Sequence, residues 1–428
     1  MKKQVITMVL LAASIFPASP LFLLGQDSTL DSAITLSSPT LKAAFLAYQA
    51  ALQKIPQSGA LQDPELDVGF FLKPMEIIDG KQVAEIKLMQ MFPWFGTRKA
   101  ARTEAQHMAQ MAFEQFREER DMLLLKVYTQ WFILCRLRQQ LVNNTENMQL
   151  LQQLEELALK QYVAPLEQGS TVSPMFTLLQ LRQELAAADA NIENLQSELT
   201  AEKAMFNALL NRPPDTNIEI PDTLEQIPFS MDIPKSIALI TEQNPMLNML
   251  DAEDAAYRAK AVMDRKMSYP MLGVGLQYML VNQTMGDGMA GMNGKDMMMP
   301  MVSVTIPVYR RKYKARQRET ALLQQANREK YTAVRNMLEA ELYQVKHRLD
   351  AAARQIDLYR KQTELTHTAY NLALQALTSG AGDLSSVVQI QRQLLDYKMK
   401  TAEAIADYNT MVANINKLIS INSPFIKN

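Results

Sequence analysis

The chain is two copies of one unit, and that repeat limits its fold more than any other feature. Ser38-Pro39 and Asn244-Pro245 each pair a helix-capping residue with proline at the first helical position, and they lie 206 residues apart. Pro64 and Pro270 keep that offset, so the segments between them match without a gap. Leu66, Val68, Phe70 and Leu72 then line up with Leu272, Val274, Leu276 and Tyr278. They alternate with Asp67, Gly69, Phe71 and Lys73 in one copy and with Gly273, Gly275, Gln277 and Met279 in the other. Period two with one apolar face predicts a strand in each copy. A second strand follows: Leu88 to Pro93 corresponds to Val302 to Pro307 at offset 214, so the second hairpin has a loop 8 residues longer.

Long helices come next, expected from about Arg98 to Tyr162 and from about Lys312 to Tyr370. Leu338, Leu342, Val345, Leu349, Ala352, Ile356, Tyr359, Thr363, Thr366 and Tyr370 alternate by 4 and 3, which is a heptad seam. Leu137, Leu141, Asn144, Met148, Leu151, Glu155, Ala158 and Tyr162 form a weaker counterpart. At about 1.5 Å per residue, rods of roughly 90 to 100 Å follow. Each rod meets a breaker, Gln168-Gly169-Ser170-Thr171-Val172-Ser173-Pro174 or Thr378-Ser379-Gly380-Ala381-Gly382-Asp383, and a return helix starts beyond it. The expected layout is repeat 1 at 38–211 (hairpin 65–92, tip 167–174), a proline-rich connector at 212–235, repeat 2 at 236–420 (hairpin 270–308, tip 378–384) and a tail at 421–428.

Residues 1–26 read as a signal peptide, with Lys2 and Lys3 ahead of the apolar run Val5 to Phe16 and a break at Pro17. A membrane anchor helix is the rival reading of the same stretch, because about 20 residues just span a bilayer. No cysteine stands directly after it, which argues against a lipid anchor. The net charge of −1 gives no basic field for nucleic acid. Three histidines (His107, His347 and His367) and the single Cys135 leave no constellation for catalysis, so neither an enzyme nor a cofactor is expected.

Each copy is thus helix, two strands, long helix, tip turn and return helix, giving four strands per chain. Strands of about 10 residues cross a bilayer when tilted, and four are too few to close a membrane barrel. An open edge in lipid leaves backbone groups unpaired, so three chains supplying twelve strands are expected. The alternative is a water-soluble coiled coil carrying two hairpins. Trp94, Phe95, Tyr309 and Tyr313 cluster where the second strands end, a pattern expected of an interface girdle or of strand–helix packing. Basic residues follow at once: Arg98, Lys99 and Arg102 in one copy, and Arg310, Arg311, Lys312, Lys314, Arg316 and Arg318 in the other. They suit lipid headgroups or a solvated first turn.

The plan resembles the TolC family of outer-membrane efflux proteins. The paired hairpins and tips carry the likeness, with Met91-Phe92-Pro93-Trp94-Phe95-Gly96 and its counterpart Ser303-Val304-Thr305-Ile306-Pro307-Val308-Tyr309. The resemblance implies a mostly α fold with membrane β: a homotrimer with a twelve-stranded barrel in the outer membrane of a Gram-negative bacterium, continued by a periplasmic helical tunnel. It also implies a periplasmic adaptor docked at the tips (Gly169, Ser170, Thr171, Pro174, Gly380, Ala381, Gly382 and Asp383) and an inner-membrane pump. Many relatives place two acidic residues, three apart, beyond the second tip; here Ser386 and Gln389 stand there, with Asp383 the nearest carboxylate. An acidic ring at this gate region is therefore not carried over.

Methionine is abundant, at 28 residues, and seven fall between 285 and 301. Met285, Met289, Met292, Met297, Met298 and Met299, among glycines, are candidate ligands for a soft monovalent ion such as Cu(I) or Ag(I), since thioether sulfur is soft and neutral. This makes the chain look similar to the heavy-metal branch of the family. The competing reading is flexible apolar filler. Strand direction puts this loop on the outer side of the membrane. Other cargoes for the same duct are drugs, other small molecules or proteins.

Overall fold

The computed structural model describes residues 38–77, 80–163, 174–283, 294–379 and 381–420. The expected signal peptide and tail, most of the first tip (Gly169, Ser170 and Thr171 included), Gly380, Met285, Met289 and Met292 lie outside the described residues. In chain order the elements are α1 (Pro39–Ser58), β1 (Glu65–Ile77), β2 (Gly80–Phe92), α2 (Thr97–Val163), α3 (Pro174–Leu209), α4 (Ile233–Gln243), α5 (Pro245–Lys266), β3 (Met271–Asn282), β4 (Met297–Thr305), α6 (Arg310–Thr378) and α7 (Leu384–Leu418). The repeat is therefore a repeat of structure. The connector stays non-helical through residue 232, but α4 begins at Ile233, inside the expected connector, because Pro234 fits a first helical turn.

The chain divides into two compact units. One comprises residues 40–120 and 233–340 and holds the sheet. Its strand order is β1-β2-β3-β4, antiparallel throughout. Val83 is an extra residue in β2, between the pairs Gln82–Val281 and Ala84–Leu280, so the strand bulges there. Prolines sit only in the two edge strands, Pro74 in β1 and Pro300 in β4, where a missing donor costs least. Below the strands, Asn244 caps α5 by accepting the Met246 N–H at 3.0 Å, with Pro245 at the first helical position. Buried Asp264 of α5 accepts from Thr320 Oγ1 at 2.7 Å and pairs with Arg316 at 2.6 Å, fixing α5 to the start of α6.

The other unit comprises residues 121–232 with 341–428 and packs α3, α7 and the distal parts of α2 and α6. Every residue of the long seam from Val345 to Tyr370 is buried or half-buried, with Ile356 fully buried. The first-copy seam is likewise buried or half-buried from Leu137 to Ala158. Leu154 beside it is buried, and half-buried Glu155 pairs with Arg182 at 2.9 Å. Near the tips, Leu151, Leu154, Leu178, Leu181, Tyr370, Leu377, Leu384 and Val387 form one core shared by four helices. The connector is tied down by Asn409, which donates to Glu225 O at 2.9 Å and accepts from Ile227 N at 3.0 Å. Asn211 and Ser420 occupy matching places after α3 and α7, with φ of 53° and 52°. The repeat thus extends to the left-handed residue that ends each return helix.

Candidate functional site

The sheet has two chemically distinct faces, because paired residues share a side and successive residues alternate. One face carries Leu66, Val68 and Phe70 of β1; Ile86, Leu88 and Phe92 of β2; Leu272, Val274, Leu276, Tyr278 and Leu280 of β3; and Met298, Val302 and Val304 of β4. All of these are exposed, Phe70 at 77% and Val302 at 78%. A continuous apolar face of this extent is not left to water in a stable protein. Glu65, Asp67, Glu85, Lys87, Gln277 and Ser303 occupy the opposite face. There Gln277 donates to Glu85 at 2.8 Å and Lys87 pairs with Asp67 at 3.5 Å. Apolar outside and polar inside is the pattern of a membrane barrel wall. Among the described residues no helix is long and apolar enough to cross a membrane.

The described methionine candidates do not share one face. Met297, Met298 and Met299 belong to β4 rather than to the loop before it. Met297 and Met299 pair with Met279 and Gln277 on the polar face, whereas Met298 pairs with Tyr278 on the apolar face. Among these three, Met298 thus lies on the face opposite Met297 and Met299. Sequence reasoning did not single out Met89 and Met91, which the pairing of β2 with β3 brings beside Gly273 and Gly275; Met301, one of the seven methionines of the 285–301 run, stands opposite Gly275 in β4. Among the described residues no cluster of three His, Cys, Asp or Glu suits a metal. Cys135 is buried, and desolvation pushes its thiol up to about 12, which leaves it unreactive.

At the foot of the strands the aromatics separate. Trp94 stacks on Tyr269, with centroids 5.3 Å apart, and meets Phe95 edge-on at 6.0 Å. Tyr269, just before β3, is a partner that the sequence reading did not single out. Phe95 and Tyr309 are exposed at 78% and 83%, and Tyr313 is half-buried. Gly96 has φ of +81°, and a Cβ there would lie 2.1 Å from Lys266 Nζ, whose ammonium donates to Phe95 O at 3.2 Å. The turn out of β2 therefore needs glycine. The basic residues divide likewise: Arg98 donates to Gly59 O and Arg316 pairs with Asp264, while Arg310, Arg311, Lys312 and Lys314 stay exposed.

At the second tip, Ala381 N donates to Ala376 O at 3.0 Å, closing the end of α6. A Cβ on Gly382 would sit 2.6 Å from Leu377 N and 2.8 Å from Ala376 C, both backbone atoms that cannot swing away. Asp383 occupies the N-cap position of α7 without bonding a backbone N–H of its first turn, and its carboxylate accepts from Ser385 Oγ. Asp383, Ser386 and Gln389 lie three apart on the exposed face of α7, opposite buried Leu384, Val387 and Val388. Pro174 begins α3. His107 is half-buried on α2, and His347 and His367 are exposed on α6, remote from one another in sequence.

Residues 237–420 match the family model described as outer membrane efflux protein. No curated protein matches the chain in sequence. Solved structures do match in fold. The outer membrane protein VceC of Vibrio cholerae is 15% identical with a TM-score of 0.73, over 92% of this chain and 95% of that one. CusC, described for conformational changes accompanying folding and transmembrane channel formation, is 16% identical with a TM-score of 0.73, over 95% of each chain. The Campylobacter jejuni CmeC outer membrane channel is 12% identical with a TM-score of 0.69, over 92% of this chain and 86% of that one. The fold is that of these channels, a four-stranded sheet per chain joined to long helices. The family match and the apolar strand face place the sheet in the outer membrane and the helical part in the periplasm.

Proposed function

We propose that the chain is one subunit of a trimeric efflux duct that carries cargo out of the periplasm, performs no catalysis, and works with a periplasmic adaptor and an inner-membrane pump. The observation that carries this reading is the sheet: four strands, apolar along one face, with β1 and β4 left as free edges. Unpaired edges in lipid cost several kcal/mol per group, and pairing β4 of one copy with β1 of the next removes them. Mass photometry of the protein purified in detergent tests it; a stable trimer is expected, and a stable monomer overturns the architecture.

The tips are the docking end in this reading. Gly382 has no room for a side chain. Gly382→Val is expected to abolish efflux while the trimer persists in the membrane, and unchanged efflux would move docking elsewhere. For cargo, the methionines of the second hairpin support soft monovalent metal ions. Replacing Met285, Met289, Met292, Met297 and Met299 by leucine keeps the volume and removes the sulfur. Loss of copper and silver resistance at equal expression supports the metal reading; full resistance leaves metal choice to the pump, or the duct to other small molecules.

A further inference from the structure

Two thioether sulfurs meet over bare backbone on the polar face of the sheet. A Cβ on Gly273 would lie 2.6 Å from Met91 Sδ and 3.2 Å from Met89 Sδ; one on Gly275 would lie 3.0 Å from Met89 Sδ. Neither glycine is needed for a left-handed φ, since neither has one. What their missing side chains make is space, and the sulfurs of β2 fold into it. Met301 stands directly opposite Gly275 in β4, and Ser303 opposite Gly273. Met89 is only 9% exposed, so its side chain lies over the sheet and not out in solvent.

The residue choice is selective. From Met271 to Met279, and along the facing stretches 85–91 of β2 and 297–305 of β4, every side chain on the polar face that is wholly nonpolar in character is methionine: Met89, Met91, Met271, Met279, Met297, Met299 and Met301. The nonpolar residues on the other face of the same stretches are Leu, Val, Ile, Tyr and Pro, with Met298 alone, and the amide Gln90 lies among them. Strand propensity favours β-branched and aromatic residues on both faces, so it does not explain the segregation. Sulfur does: neutral, soft donors suit Cu(I) and Ag(I), and hard divalent ions are poorly served by them.

We propose that Met89, Met91 and Met301 form a thioether site for a soft monovalent cation on the polar wall of the sheet, distinct from the loop of the second hairpin. The proposal rests on the reading of that face as the lining of the duct. The two glycines act by leaving the sulfurs room to converge.

The test uses the full-length protein purified in detergent and silver nitrate in chloride-free buffer. Silver retained after desalting is counted, and silver-edge X-ray absorption reports its neighbours. Wild type is expected to hold Ag(I) with sulfur neighbours, and the M89L/M91L/M301L variant to lose it. Gly273→Ala pushes on Met91 Sδ without removing a ligand, and roughly tenfold weaker binding is expected, as for loss of a supporting partner at a metal site. Met298→Leu, on the other face, is expected to bind as wild type does. Equal retention by the triple leucine variant, or equal loss in Met298→Leu, overturns the site. Planar-bilayer conductance of the same preparations separates the two readings. Lost silver binding has to come with an intact pore, whereas a wild type that never conducts removes the duct reading itself.

Discussion

Asp264 is the most committed single residue in the sheet-bearing unit. It is 1% exposed, yet it carries a carboxylate held by Thr320 and Arg316. Removing it leaves buried Thr320 without its acceptor, while the partly exposed Arg316 keeps access to water, so Asp264→Ala is expected to cost about 1–3 kcal/mol, read as a fall in the thermal midpoint of the detergent-solubilised protein. Asp264→Asn keeps the acceptor for Thr320 and should cost less. Glu104 shows the opposite electrostatics. Burial, partly offset by Lys260, raises its pKa, and nearby Asp264 pushes the same way. A carboxyl whose folded pKa is raised binds more protons folded than unfolded. Its contribution is therefore greatest in acid and is lost as pH climbs from the ordinary glutamate range through its own higher value. Glu104→Gln should flatten that decline and leave the protein at neutral pH no less stable, with a gain below about 1 kcal/mol because the group is only partly buried. Thermal midpoints of both proteins across acidic to neutral pH check the sign.

At the scale of elements, the seam of α6 makes the sharpest contrast. Ile356 is fully buried, while Leu358, two residues on, is 50% exposed. Ile356→Ala should cost about 2–5 kcal/mol and Leu358→Ala within about 0.5 kcal/mol, both measured by thermal unfolding. This seam was legible in advance because a heptad repeats one fact many times, so an error at one position does not move the rest. The same redundancy made the strands legible: β1, β2 and β3 alternate over at least five residues, and the second copy checks the first. Single positions without a repeat behind them were not. Met299 and Met301 also read as strand residues, but Met297 and Met298 read as loop because glycines precede them, and ladder pairing with β3 extends the strand back to Met297. Tyr269 went unnoticed because its partner, Trp94, is 175 residues away and only the pairing of β2 with β3 brings them together. Met89 and Met91 were invisible as a site for the same reason: the space they fill belongs to another strand.

For the whole molecule, the two faces of the sheet make a prediction that no single contact makes. Leu276 and Gln277 are neighbours in β3, yet Leu276 lies on the exposed apolar face and Gln277 on the polar one. Give both the same substitution, arginine. Leu276→Arg sends a guanidinium into lipid near the middle of a strand, at about 2–4 kcal/mol per chain if that point lies at the bilayer midplane. A trimer meets that cost three times over, so assembled duct in the outer membrane should fall sharply. Gln277→Arg keeps a donor facing Glu85, which Gln277 already holds at 2.8 Å, and remains on the polar wall. Assembly should then be intact. Only the ions passing should change, since one more positive charge per chain beside the path favours anions over cations. Trimer bands on semi-native gels, together with reversal potentials in asymmetric salt, read the two outcomes separately. If Gln277→Arg blocks assembly while Leu276→Arg does not, the faces are assigned the wrong way round, and the methionines beside Gly273 and Gly275 would look outward into lipid instead of into the duct.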